Sequence, residues 1–344
     1  MLLMKEFGSD FHFLPIQESR GRTVKDFFPD ALYYACGRQP IIDLYKKNNW
    51  KRLWVPEYFC YEVLSSLKQN GVNWQSYRDY PLTDESETVC SLPFEEGDAL
   101  LRMNYFGLRS KRSNHGIPVP VVEDHTHDLI GGWAIDSDAD WCIASLRKTL
   151  PLAEGGMLWS PKGLKLQETP QVLSENTGLA SSRWEAMRKK TRYLNGEIDD
   201  KSEFRSVFLS TEERFDALSV SSIDNETLDY LSRFDVEQWY RMKKDNRDVL
   251  VESCSSISTV LEPEDSDCNP FSLTLLFDSE ALKNDFRKYL INSCVYPAIL
   301  WNVPENASPE IIDFSKRMLS VHCDGRYNGK DMIQLRDIIA DSRD

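Results

Sequence analysis

The chain has 344 residues, 41% hydrophobic and 28% charged, which excludes a disordered chain and is enough to bury a large core without disulfide or metal staples. Forty-one Lys and Arg against 55 Asp and Glu leave a net charge of −14, which argues against nucleic acid or an anionic membrane as partner. No run of about 18 apolar residues appears, so no membrane-spanning helix is expected. The opening MLLM is too short for a secretory signal.

Residues 1–25 mix aromatic and charged side chains without a period and read as an irregular lead-in. Cys36-Gly37-Arg38 precedes a helical stretch with Ile41, Leu44 and Tyr45 on one face. The run 53–55 (LWV), closed by Pro56, predicts a short buried strand. Phe59, Val63, Leu64 and Leu67 stand at helical spacing before Asn70-Gly71, a helix stop. Further strands are expected at 74–77, 99–104, 118–124, 141–146 and 157–159, and residues 161–215 read as charged and helical. Beyond about 235 the spacing predicts strands at 271–277, 295–301 and 318–322 and helices at 279–291, from 308, and at 330–339. Strands alternating with helices imply an α/β fold: a large domain over 26–235 with a mostly parallel central sheet flanked by helices, and a smaller C-terminal α+β domain over 236–344. Ligands in such sheets bind beyond the carboxyl ends of the strands.

Four pieces converge on one kind of chemistry. Glu123-Asp124-His125-Thr126-His127 and Ser145-Leu146-Arg147-Lys148 each follow a strand. Glu154-Gly155-Gly156 comes six to eight residues after Lys148, and Gly37-Arg38 opens a helix. A lysine beside a strand end can lose its proton and form a Schiff base, whereas Arg147 stays protonated and cannot. An acid such as Asp124 can hold the nitrogen of a pyridine ring protonated. A helix start at Gly37-Arg38, with the hydroxyl of Ser145, can cradle a phosphate. These are the needs of pyridoxal 5'-phosphate. The competing reading, a metal cluster of His125 and His127 with Asp124 and Asp128, lacks a convergent cysteine pair. The eight cysteines contain no CxxC and are expected to be reduced, mostly buried thiols in a cytoplasmic protein. No G-x-G-x-x-G, P-loop or G-x-S-x-G signature is present.

The run VVEDHTHDLIGG…ADWCIASLRKTLPLAEGGMLW resembles the core of the DegT/DnrJ/EryC1/StrS family of pyridoxal-phosphate-dependent aminotransferases, of fold type I. The resemblance implies that Lys148 carries the Schiff base, that Asp124 pairs with the pyridine nitrogen and that His127 contacts the hydroxyl side of the ring. Weaker matches extend over most of the chain. Ala35-Cys36-Gly37-Arg38 is similar to the family's phosphate turn, 55–60 (VPEYFC) to a segment that supplies a residue stacking on the ring, and 104–108 (NYFGL) to a strand end. Aligning Pro56 puts Cys60 at the stacking position, with Tyr58 and Phe59 beside it. Ser145 stands three residues before Lys148 where many relatives place it five before. The family's Gly-Tyr-Asn-x-Arg stretch is missing, with 219–231 in its place. The resemblance implies transfer of an amino group from a small-molecule donor such as glutamate to a keto-sugar acceptor, by a homodimer that shares its sites. Another pyridoxal-phosphate reaction, or a non-catalytic binding protein, remains the alternative. Arg326 is a further candidate for holding a substrate anion.

Overall fold

The computed structural model describes residues 6–16, 21–165 and 168–343; residues 1–5 and 17–20 of the expected lead-in lie outside the described residues. The rest of that lead-in holds two elements, β1 (Phe7–Gly8) and α1 (Val24–Phe27). Elements this short have no period to read. They form because distant segments receive them: β1 pairs in parallel with residues 295 and 296, and Phe7 is fully buried.

The first part of the chain then runs through β2 (Leu32–Tyr34), α2 (Gln39–Lys47), β3 (Arg52–Pro56), α3 (Tyr61–Gln69), β4 (Trp74–Tyr77), α4 (Ser86–Cys90) and β5 (Asp98–Met103). It continues with β6 (Val121–Asp124), α5 (Gly132–Ile135), β7 (Trp141–Ala144), α6 (Leu146–Thr149) and β8 (Gly156–Trp159). One seven-stranded sheet results, in the order β2-β8-β7-β6-β5-β3-β4. The run from β7 to β4 is parallel throughout, and β8 alone opposes its neighbours, pairing antiparallel with both β7 and β2. Alternate residues feed two cores. Trp54 and Leu100 pack on one face of the sheet, and Leu53, Val55, Ala99 and Leu101 on the other. This is the α/β class that the sequence predicts.

Four helices follow: α7 (Ser174–Leu194), α8 (Ser202–Ala217), α9 (Asn225–Arg233) and α10 (Val236–Ser255). The C-terminal part comprises β9 (Thr259–Val260), β10 (Leu273–Leu276), α11 (Glu280–Asn292), β11 (Val295–Tyr296), α12 (Pro309–Arg317), β12 (Met318–Val321) and α13 (Gly329–Ala340). β10 is the centre of an antiparallel three-stranded sheet with β12 and β9. Its core takes Leu273, Leu275, Leu319 and Val321 together with Leu250 and Cys254 of α10 and Phe7 of β1. The strand expected over 295–301 stops at Tyr296 because its partner β1 is only two residues long. The chain beyond it meets Ser320 through a single bridge at Ala298 and so delivers Leu300 and Trp301 to the carboxyl ends of the large sheet.

Candidate active site

Asp124 is the last residue of β6 and is buried. Its Oδ1 accepts the Thr126 N–H at 2.9 Å, and the Thr126 hydroxyl accepts the Ser145 N–H at 2.9 Å, so the ends of β6 and β7 are tied together. Burial pushes the Asp124 carboxyl above its ordinary value, and the bonds from Thr126 and the charge of His125 only partly offset this. His127, just beyond the strand, is also buried. Its Nδ1 accepts the Phe106 N–H at 3.1 Å, which leaves the proton of the neutral ring on Nε2. The ring stacks on Trp301 (centroids 5.5 Å apart) and packs against Phe271 (4.8 Å). Burial, with Lys148 and Lys243 nearby, lowers its pKa to about 3, so it stays neutral at physiological pH.

β7 ends at Ala144, and Ser145 in extended conformation starts the single turn of α6. Two aromatic residues of α10 hold that turn: Trp239 Nε1–H donates to the Thr149 carbonyl at 2.9 Å, and the Tyr240 and Thr149 hydroxyls bond at 3.2 Å. Lys148 is exposed to the cavity that this turn borders. Protein packed around the amine lowers its pKa, and the charges of Arg147 and Arg38 add to the effect against the opposing pull of Glu212 and Cys60. An amine so placed gives up its proton more readily than a free lysine.

Gly37 lies directly beneath Ser145: a Cβ there would stand 2.5 Å from the Ser145 Cβ. Only the bare backbone permits this approach, which sets the start of α2 against the start of α6 and leaves Arg38 as the N-cap of α2. The Gly155-Gly156 pair completes the junction. Gly155, at φ +135°, donates its N–H to the Ala35 carbonyl at 2.8 Å and accepts the Leu146 N–H at 3.0 Å. Glu154 has a structural part instead, accepting the Asp224 N–H at the N-cap of α9. Cys60 is the N-cap of α3.

The structure brings Lys148, Asp124, His127, Ser145, Gly37, Arg38 and Cys60 to the wall of one cavity of about 80 Å³. A larger opening, about 490 Å³, shares Arg147, Lys148 and Glu212 with it. The donor set fits pyridoxal phosphate: a buried carboxylate short of a cationic partner, a neutral histidine with its proton on Nε2, an amine with a lowered pKa, and a glycine-lined helix start where a side chain would fill the cradle.

Two expectations are corrected. Tyr58 does not reach the cavity: its hydroxyl donates to the Leu300 carbonyl, and its ring packs among Tyr105, Phe106, Phe314 and Trp301. Phe59 does line it. Arg326 borders the larger opening, with its fork already paired with both oxygens of Asp324 at 2.8 Å and a third donor bonded to the Ser9 and Asp10 carbonyls. Segment 219–223, at the place of the missing Gly-Tyr-Asn-x-Arg stretch, lies along β2 and α2 of its own chain, with Ser221 and Ser219 carbonyls accepting from Ala35 and Gln39. Sequence reasoning missed Trp301, Phe271 and Glu212. They come from segments 64 to 153 residues beyond Lys148, and no local pattern marks them.

The histidine–carboxylate cluster is split by the fold. Asp128 accepts the Gly131 and Asn269 N–H groups, both at 2.8 Å. Glu123 and His125 turn to the other face of β6, where with Cys142 they offer ligand atoms within 4.8 Å of one another. Glu123 is already engaged there by Asn114, Ser137 and His125, at 2.7, 2.6 and 3.2 Å.

No family model matches the chain, and no curated protein matches its sequence. Solved structures do match its fold. The Helicobacter pylori aminotransferase PseC, involved in the biosynthesis of pseudoaminic acid, superposes with a TM-score of 0.63 at 13% identity, covering 98% of this chain and 99% of that one. A Streptococcus pneumoniae protein described as a sugar aminotransferase, in its PMP form, gives a TM-score of 0.64 at 10% identity, covering 97% and 92%. A DegT/DnrJ/EryC1/StrS aminotransferase of Brucella abortus gives 0.58 at 12%, covering 94% and 91%. The chain therefore has the fold of type I aminotransferases over nearly its whole length.

Proposed function

We propose that the protein is a pyridoxal-phosphate-dependent aminotransferase that moves an amino group from an amino acid such as glutamate to a keto-sugar. One observation carries the reading. Seven residues chosen for this chemistry come from four separate segments and line a single cavity at the carboxyl ends of β6 and β7. The sugar acceptor is supported by the fold's neighbours, two of which are described as sugar aminotransferases.

When bound, the cofactor supplies an electron sink for the carbon from which a proton is removed. The chain's part is to hold it and to move that proton. Lys148 would be the attachment point, and its Nζ, with its lowered pKa, would take the proton from the substrate carbon and return it. Asp124, raised by burial and short of a cation, is completed by a protonated ring nitrogen. His127 donates from Nε2, since Nδ1 is occupied by the Phe106 N–H. Ser145 and the start of α2 at Gly37-Arg38 would take the phosphate, and Cys60 and Phe59 would border the ring. A homodimer, a cytoplasmic location and a division into domains at 26–235 and 236–344 belong to the same proposal.

The test is direct. Protein purified with the cofactor is yellow, and borohydride fixes the colour on the peptide containing Lys148. A colourless protein that ignores added cofactor overturns the reading.

A further inference from the structure

The residue before Lys148 forms a second site. Arg147 is largely buried on α6 and lines both the cofactor cavity and the larger opening. Its guanidinium has five N–H donors, of which Nη2 is bonded to the Glu212 carboxylate while the buried Nε has no hydrogen-bond partner. Arg183 approaches the same carboxylate from the other side, with Nη1 3.3 Å from Glu212 Oε2. Arg183 is itself fixed, donating to the Ala153 carbonyl and the Thr211 hydroxyl, both at 2.8 Å. Glu212, from α8, is 41% exposed and faces Lys148 across the same wall.

Two guanidinium groups thus hold one carboxylate, on the wall that also carries the Lys148 amine, and that carboxylate belongs to helix α8 and not to a ligand. A planar fork with an unused donor suits a two-oxygen anion. An amine presented to Lys148 from the larger opening places the adjoining carboxylate of an α-amino acid next to residue 147. We propose that Arg147 recognises the carboxylate of the amino donor, and that Glu212 is an internal stand-in which occupies the fork until that carboxylate displaces it. Arg183 acts as a positioning residue, holding Glu212 at the rim in either state. The inference rests on the aminotransferase reading for the identity of its ligand. It assigns specificity to a residue that the cofactor does not need.

The test is calorimetric titration of the full chain with glutarate, a dicarboxylate with no amine to react, against glutaramide, its uncharged analogue. Glutarate is expected to bind and glutaramide not. Arg147→Gln is expected to weaken glutarate at least about tenfold, the scale of a charge-assisted hydrogen bond. Glu212→Gln, which keeps the size of the side chain and removes the competitor, is expected to tighten it several-fold. A merely structural pair would not give opposite signs. Unchanged glutarate affinity in Arg147→Gln, or weaker affinity in Glu212→Gln, overturns the proposal. So does inorganic phosphate that binds more tightly than glutarate and is lost in Arg147→Gln, since the fork would then belong to a phosphate. The titration reads the chain with or without cofactor. A colourless protein therefore breaks the proposed function and not this site, and flat titrations of a yellow protein do the reverse.

Discussion

The two faces of β6 carry the same pair of residue types to different ends. On one face Glu123 and His125 are packed with Asn114, Ser137 and Cys142, and the carboxylate is bonded by all three and by His125. Burial would raise the Glu123 pKa, but those bonds and the charge of His125 outweigh it, so the group sits below its ordinary value. On the other face Asp124 is bonded by Thr126 among the described residues and is held above its ordinary value. The fold completes the first carboxylate and leaves the second incomplete. A buried polar group left short of partners, at a cavity, marks the place where structure yields to function.

Four perturbations sharpen that contrast. The largest is Lys148→Ala, expected to abolish covalent attachment and turnover while leaving the fold intact; mass spectrometry of the borohydride-treated protein checks it. Next, Asp124→Asn is expected to retain cofactor but lose at least about a hundredfold in turnover, the range of a lost proton-holding group. Full activity in that variant contradicts its role. The cofactor-free forms carry opposite signs in stability. Asp124 has a raised folded pKa, so its penalty is absent below its ordinary pKa and grows as pH rises through the folded value. Asp124→Asn is therefore expected to melt no lower than the parent at neutral pH. Glu123 has a lowered folded pKa, so its contribution is present above its ordinary pKa and is lost as pH falls through the folded value. Glu123→Gln is expected to cost about 1–3 kcal/mol at neutral pH, read by denaturant unfolding, with turnover per folded molecule changed only a few-fold. If the two variants shift stability in the same direction, the distinction between the faces fails. The smallest effect is that of Gly37→Ala. The added methyl group meets Ser145 and is expected to weaken cofactor binding by about tenfold or less through local overpacking, measured by equilibrium titration.

Much of the large sheet was legible, because β3, β5, β6 and β7 each hold a short apolar run, at 53–55, 99–101, 121–122 and 141–144. β2 and the reversed sense of β8 were not. Leu32–Tyr34 is three residues long, and strand direction leaves no trace in composition. At the site, the strand-end residues that line the cavity were readable since two short segments, 124–127 and 145–148, hold most of them. Trp301 was hidden because the strand expected there breaks off five residues earlier. Glu212 looked like one more acid on a charged helix, and its depressed pKa arises only once Arg147 and Arg183 are brought to it.

The hold of α10 on Thr149 has a mechanical meaning. Both the backbone and the side-chain oxygen of the residue following Lys148 are gripped by Trp239 and Tyr240. The same helix, some ten to fifteen residues on, contributes Leu250 and Cys254 to the C-terminal core. A rigid rod is thus anchored at one end in the smaller sheet and at the other beside the reactive amine. Under the proposed function, a tilt of the smaller sheet against the larger would displace residue 148 along it, and a substitution deep among the C-terminal strands is expected to register in the reactivity of that lysine.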